Sequence, residues 1–257
     1  MNIIAIIPAR MGSSRFPGKP LADLNGMPMV GHVLVRTKRS ETLSETYVAT
    51  CDQEIFDYVE SVGGKAVMTA DTHERCTDRA AEAMLKIEEA TGEKVDIVVI
   101  IQGDEPLVTP KMIDQAVTPM LENPEHQVLN LMSVMGSQKE FEDPNEVKVV
   151  AAPNGDALYF SREPIPSRSK WDGEIPMMKQ VCIMPFRRDY LLKFNEMPEM
   201  PLERIESVDM LRILEHGGRV HMELTEEVSF SVDTPADLEH VKKVMQSDNL
   251  VKEYLDA

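Results

Sequence analysis

The sequence predicts an α/β protein: a doubly wound, mainly parallel sheet with a smaller mixed α+β lobe inserted in its C-terminal half. Three observations carry this. Apolar runs of buried-strand type alternate with stretches of helical spacing through the first half, the pattern of βαβ units. In the second half, strand-like stretches follow one another with less helix between them. The 257 residues, 42% apolar and 28% charged, suffice for one large core, and neither an internal repeat nor a low-complexity linker divides them.

The elements follow in order. Residues 2–8 (NIIAIIP) form a continuous apolar run, and a Gly/Ser/Pro loop comes after it. Helical spacing over 29–39 places Val30, Val33 and Leu34 on one side. A strand is expected near 46–50, a helix at about 53–62, a short strand at 65–69 and a helix over roughly 77–90. Residues 95–101 (VDIVVII) read as the clearest central strand, and a helix near 110–121 closes this half. Beyond it, strands are expected at 127–134, 147–152 and 157–160, an exposed Pro-rich loop at 163–178, and helices at 187–195 and 203–216. The last helix follows Pro235 to about Met245, with Thr234 as its N-cap and Asp237 near the positive end of its dipole. The expected organisation is a single domain, with a core of about 1–125 and 217–257 and a lobe of about 126–216.

The net charge of −17 argues against a nucleic-acid surface, which needs a basic stripe to release phosphate counterions. No run approaches the roughly 20 apolar residues of a bilayer span, and residues 2–8 are too short for a signal peptide, so a cytoplasmic protein without a membrane partner is expected. Cys51, Cys76 and Cys182 are scattered and odd in number, which speaks against a disulfide framework or a zinc site.

One segment departs from the acidic balance. Pro8 to Pro20 (PARMGSSRFPGKP) carries Arg10, Arg15 and Lys19 and no acid, which suggests a small polyanion pocket. It lies at the carboxyl end of the first strand, where open α/β sheets bind ligands. Gly12 and Gly18 allow close backbone approach, and Ser13 and Ser14 offer hydroxyls and N–H groups. Arginines grip phosphate oxygens bidentately, whereas Lys19 is a mobile point charge. That equipment suits a triphosphate. The segment is not a P-loop, because five residues instead of four separate Gly12 from Gly18-Lys19 and Pro20 replaces the Ser/Thr. Nor does the chain contain the GxGxxG of dinucleotide sites. Two acids lie at similar strand ends, Asp104 in QGDEP and Asp233 in VDTP. Each alone reads as a turn former or helix cap. Together, and beside a cationic loop, they read as oxygen ligands for a hard cation such as Mg2+.

These segments, with PN-x-VKVV, ALYFSR and the terminal VDTP-x-DL-E, resemble the 3-deoxy-manno-octulosonate (Kdo) cytidylyltransferases, in order over about residues 3–243. The resemblance implies a nucleotidyltransferase (Rossmann-like) sheet, CTP as donor, pyrophosphate as leaving group, a small anionic acceptor, surface-polysaccharide synthesis and a homodimer. It implies Pro8, Ala9, Arg10, Ser13, Ser14, Arg15, Lys19, Thr77, Gln102 and Gly103 around the nucleotide. Asp104 and Asp233 would hold Mg2+, and with Arg15 and Lys19 would form the catalytic set. Arg75, Arg79, Arg162, Gln180, Met184, Asp209 and Met210 would face the acceptor. Lys148 matches a family lysine and reads equally as a solvent-facing strand residue.

The departures fall on the acceptor segments. The family's KHLG-[IV]-Y-x-Y has become Lys179-Gln180-Val181-Cys182-Ile183-Met184-Pro185-Phe186, so the His and first Tyr are Gln180 and Met184. The family's L-E-x-x-E-x-L-E-Q-L-R appears with Asp209 and Met210 for its Glu-Gln pair, and the Ser-Gly before Thr77 is Arg75-Cys76. Fewer hydrogen-bonding groups and two added methionines describe a more adaptable pocket. Three readings stand: transfer to Kdo or a close ulosonic acid; the same reaction on a less hydroxylated acid or a phosphonate; or an inactive CTP-binding module. On the expected 203–216 helix, Glu206, Asp209 and Arg212 would share a face.

Overall fold

The computed structural model describes residues 1–13 and 15–255. The chain begins with β1 (Ile3–Pro8), a 3-10 turn (Lys19–Leu21), β2 (Asp23–Leu24), β3 (Met27–Pro28), α1 (Met29–Thr37), β4 (Glu45–Thr50), α2 (Gln53–Ser61) and β5 (Ala66–Met68). It continues with α3 (Cys76–Thr91), β6 (Ile97–Ile101), α4 (Pro110–Glu122), β7 (Leu129–Val134), α5 (Gln138–Glu142), β8 (Lys148–Ala151) and β9 (Ala157–Ser161). Next come β10 (Met178–Val181), β11 (Ile183–Arg187), α6 (Arg188–Glu196), α7 (Pro201–Glu206), α8 (Met210–Glu215), β12 (His221–Thr225), α9 (Pro235–Met245) and α10 (Asn249–Leu255). Two compact units result, one of Met1–Asp114 with Val228–Ala257 and one of Gln115–Glu227. Among the described residues no helix is long and apolar enough to cross a membrane.

In the first unit the strands run β6-β1-β4-β5, all parallel, with Ile6 opposite both Tyr47 and Ile100. Every residue of Ile3–Ile7 and of Ile97–Ile101 is buried, which is why both strands read as unbroken apolar runs rather than alternating ones. Parallel strands put their carboxyl ends on one edge. The loops after β1, β4 and β6 therefore emerge together. The last long helix begins as expected: Thr234 accepts from Asp237 N–H while Asp237 accepts from Thr234 N–H, a capping box with Pro235 in the first turn.

The second unit holds a mixed sheet in the order β12-β7-β10-β8-β9, with β12 parallel to β7 and the other neighbours antiparallel. Because β12 pairs with β7, residues 221–225 belong to this unit, and its limits at 115 and 227 lie outside the expected 126 and 216 at both ends. The expected helix over 203–216 is a second difference. Ser207 adopts left-handed backbone (φ 53°) and separates α7 from α8. Continuing the helix would require the Glu206 carbonyl to accept from Met210 N–H. That carbonyl instead accepts from Arg162 Nε at 2.6 Å. Glu206, Asp209 and Arg212 therefore do not share one helix face.

Candidate active site

The loop after β1 is clipped down at its start. Ala9 N–H donates to the Ala49 carbonyl at 2.9 Å and Met11 N–H to Asp52 Oδ2 at 2.8 Å, so the end of β4 fixes the first turn. The Met11 carbonyl then accepts from both Ser13 and Gly18 N–H, which folds the loop back on itself. Gly18 closes it at φ 75°, where a side chain would be strained. Lys19 follows as the first residue of the 3-10 turn, directed by an N–H bond to the Phe16 carbonyl at 3.2 Å. Arg10 and Arg15 are exposed, whereas Pro8, Ser13 and Lys19 are part-buried and Ala9 is buried. Ser14 lies outside the described residues.

The loop after β6 approaches from the neighbouring strand end. A Cβ on Gly103 would stand 2.9 Å from the Pro8 carbonyl oxygen, so only glycine lets the two strand ends come this close. Gln102 and Asp104 flank it, both part-buried. The Asp104 carbonyl accepts from Val232 N–H at 2.9 Å, and buried Glu105 accepts from Ser229 Oγ at 2.6 Å. These bonds lay the segment bearing Asp233 beside the segment bearing Asp104.

Four charges meet as a result. Lys19 Nζ lies 2.7 Å from Asp104 Oδ2 and 3.6 Å from Asp233 Oδ1, and Arg15 Nη2 lies 2.7 Å from the same Asp233 oxygen. Side-chain exposure falls from 52% at Arg15 to 21% at Asp104, 20% at Asp233 and 11% at Lys19. The other oxygen of Asp104, Oδ1, is buried without a hydrogen-bond donor among the described residues. A desolvated carboxylate oxygen without a donor is costly unless a cation meets it. Among the described residues no third His, Cys, Asp or Glu joins the pair to form a closed metal cage. Two carboxylates are the protein share that Mg2+ takes when phosphates supply the rest.

The remaining candidates of the first unit sit on α3. Arg75 is its N-cap residue, and Thr77 is buried in its first turn. Arg79 is also buried: its guanidinium donates to Thr69 Oγ1 and to the carbonyls of Ala70 (3.2 Å) and His73 (3.4 Å), which holds the 69–73 loop.

In the second unit Arg162 is fixed on two sides. Its Nε donates to the Glu206 carbonyl, its Nη1 to the Pro144 carbonyl at 2.9 Å, and its backbone N–H to Glu206 Oε2 at 2.7 Å. Glu206 also accepts from Ser161 Oγ at 2.8 Å. Gln180 donates to Asn130 Oδ1 at 2.5 Å, and the Asn130 amide spends its own protons on the carbonyls of Val181 and Leu131. Asp209 is the N-cap residue of α8, while Met184 and Met210 are buried. Lys148 is not solvent-facing, contrary to one of its two readings. It is fully buried, and its ammonium donates to the carbonyls of Asp143 and Glu146, each at 2.8 Å, and to that of Arg162. Burial holds it below the usual lysine range.

Sequence reasoning missed Asp52, which pins the loop after β1 through Met11. Like Asp104 after β6, it is an acid in the first turn after a parallel strand, and that parallel was the available signal.

A family model for cytidylyltransferases matches residues 4–228. The chain belongs to this family. Among curated cytidylyltransferases, the 3-deoxy-manno-octulosonate cytidylyltransferase of Trichlorobacter lovleyi is 45% identical over 256 residues, spanning 96% of this chain and 99% of that protein. That of Geobacter sulfurreducens is 45% identical over 251 residues, spanning 94% and 98%. A solved CMP:2-keto-3-deoxy-manno-octonic acid synthetase complexed with CTP superposes with a TM-score of 0.88 at 37% identity, covering 96% of this chain and 100% of that one. The α/β nucleotidyltransferase fold with its parallel and mixed sheets is thereby shared with these cytidylyltransferases.

Proposed function

We propose that this cytidylyltransferase moves CMP from CTP to Kdo, with Mg2+ as the required metal and pyrophosphate as the leaving group. The observation that carries the reading is the constellation of Arg15, Lys19, Asp104 and Asp233. It joins a cationic loop of triphosphate type to two carboxylates, one with a buried oxygen that has no donor among the described residues. Curated relatives at 45% identity bear the name of this reaction.

The chemistry follows from the charges. An acceptor hydroxyl oxygen attacks the α-phosphorus in line, the bond from that phosphorus to the bridging oxygen breaks, the hydroxyl proton passes to solvent water, and pyrophosphate departs. Negative charge grows on the leaving oxygens, and Arg15 and Lys19 are the loop cations that would meet it. Asp104 and Asp233 would hold Mg2+, which would neutralise phosphate charge. Positioning dominates such transfers, so no covalent enzyme intermediate is required. Pro8, Ala9, Arg10, Ser13, Thr77, Gln102 and Gly103 complete the nucleotide set. In the second unit Arg162 and Gln180, both part-buried and both oriented by neighbours, are the strongest acceptor candidates. Buried Met184 and Met210 contribute to its shape.

Pyrophosphate release across a panel tests this. CTP with Kdo should outpace ATP and GTP with Kdo, and also CTP with a smaller acid or a phosphonate. Activity should vanish with chelator and return with Mg2+. Equal use of all nucleotides, or turnover without metal, overturns the donor and metal assignments; preference for another acid overturns the acceptor.

A further inference from the structure

Arg36 is a fully buried guanidinium outside the charged constellation. It projects from α1, and its donors reach two separate parts of the first unit, the turn at Val108 and α10 with the residue before it. Nη1 donates to the Val108 carbonyl at 3.3 Å, Nε to the Tyr254 hydroxyl at 3.1 Å, and Nη2 to Asp248 Oδ2. His32, one turn earlier and also fully buried, meets the same Tyr254 hydroxyl through Nδ1 at 2.6 Å and the Leu24 carbonyl through Nε2 at 2.6 Å.

Val108 ends a pair of turns that carry Asp104: Glu105 N–H donates to Gln102 O, and Val108 N–H to Glu105 O. Leu107, beside it, packs in a cluster with Leu24, Met29, Val232, Leu238, Val241, Met245 and Val251, against which Phe16 and Tyr254 also lie. Phe16 adjoins Arg15, and Val232 adjoins Asp233. The chain neighbours of Arg15 and Asp233 thus share one apolar floor with Leu107, three residues beyond Asp104. Its far wall is α9 and α10, and the Arg36–Tyr254–Asp248 hub ties α10 to the Asp104 turn.

We propose that Arg36 and Tyr254 are positioning residues for cytidylyl transfer: through Val108 and the shared floor they set the spacing of Asp104 and Asp233, and so the metal affinity of the nucleotide complex. This rests on the reading of those aspartates as the metal-holding carboxylates. Arg36 is fully buried, and neither it nor Tyr254 belongs to the nucleotide or acceptor set. A merely structural role for the hub affects melting temperature alone, whereas a positioning role appears in the metal.

The test uses the whole chain with CTP and Mn2+ as a paramagnetic probe, measuring Mn2+ binding by electron paramagnetic resonance beside turnover and melting temperature. Tyr254→Phe removes only the hydroxyl shared by Arg36 and His32, and Asp248→Asn weakens the second arm while keeping its shape. Because displacements well under 1 Å matter at such sites, each variant should weaken Mn2+ binding to the CTP complex about tenfold and lower kcat by a similar factor, leaving acceptor KM unchanged. Two results overturn the proposal: a lower melting temperature with Mn2+ affinity and kcat unchanged, or an acceptor KM that rises as much as the metal constant. Asp104→Asn is the control. If it abolishes Mn2+ binding while the hub variants do not move it, the proposal alone fails. If it leaves Mn2+ binding intact, the metal reading fails and the proposal with it.

Discussion

Gly103→Ala adds a single methyl group at the point where the ends of β1 and β6 approach. The new Cβ would lie 2.9 Å from the Pro8 carbonyl oxygen, 3.5 Å from Ala9 Cβ and 3.6 Å from Ile7 Cγ2. The last two distances are ordinary contacts; the first is not, and it involves backbone that cannot rotate away. Restoring a normal separation requires the β6 end to retreat by roughly half an ångström, an overpacking strain of about 1–3 kcal/mol. For a chain of this size each kcal/mol lowers the melting temperature by roughly 2–4 °C. Asp104 is the next residue, so the retreat also carries it away from Lys19. A misplacement of about 1 Å costs on the order of 10²-fold in rate, so half of that predicts a loss of roughly tenfold in kcat/KM for CTP. Scanning fluorimetry and steady-state kinetics at saturating Mg2+ would measure both. Wild-type melting with wild-type kcat/KM would refute the argument that Gly103 is required by close approach.

Three further outcomes follow from buried charges. Glu203→Gln strips the bidentate partner from buried Arg212, whose Nε and Nη2 lie 2.7 and 2.6 Å from the carboxylate, and should cost about 3–5 kcal/mol in denaturant unfolding; a loss under 1 kcal/mol contradicts the pairing. Lys148→Met leaves the carbonyls of Asp143, Glu146 and Arg162 without their donor and should destabilise by about 1–3 kcal/mol, whereas an exposed lysine would show no change. His32 and His126 are both held below the ordinary 6.5, chiefly by burial, and in His126 also by the charge of His221, whose ring stacks on it at 4.1 Å. The folded state therefore binds fewer protons than the unfolded chain below about pH 6.5, and stability must fall as pH drops through that value toward the lower folded ones. A melting temperature that stays level from pH 8 to 5 contradicts this.

Much of the first unit was legible because its parallel strands are buried on both faces. NIIAIIP and IVVII can be nothing but core, and the loops at their ends inherit a ligand-binding location. The Thr234 cap was readable for the same local reason: its partner Asp237 is three residues away. The pairing within the charged constellation was not, since Arg15 meets Asp233 across 218 residues and Lys19 meets Asp104 across 85. In the second unit, β10 and β11 escaped notice because they follow the Pro-rich loop and β11 contains Pro185, a poor ladder member. The break between α7 and α8 is invisible locally, because its cause is the Arg162 guanidinium arriving from β9's end to take a helical carbonyl. Lys148 shows a related limit: its residue type allowed a solvent-facing strand position, and only the fold of the 143–146 turn with the approach of the Arg162 carbonyl explains its burial.

The most direct test of the central claim is to follow product and pyrophosphate together, by mass spectrometry and phosphorus NMR, with CTP, Kdo and Mg2+ and the wild type, D104N and D233N proteins. The account predicts one CMP–Kdo per pyrophosphate in wild type, and a loss of about 10²-fold or more in each variant with circular dichroism unchanged, because each substitution removes an oxygen ligand without altering size. Absence of CMP–Kdo in wild type, or turnover near the wild-type rate in both variants, would contradict it.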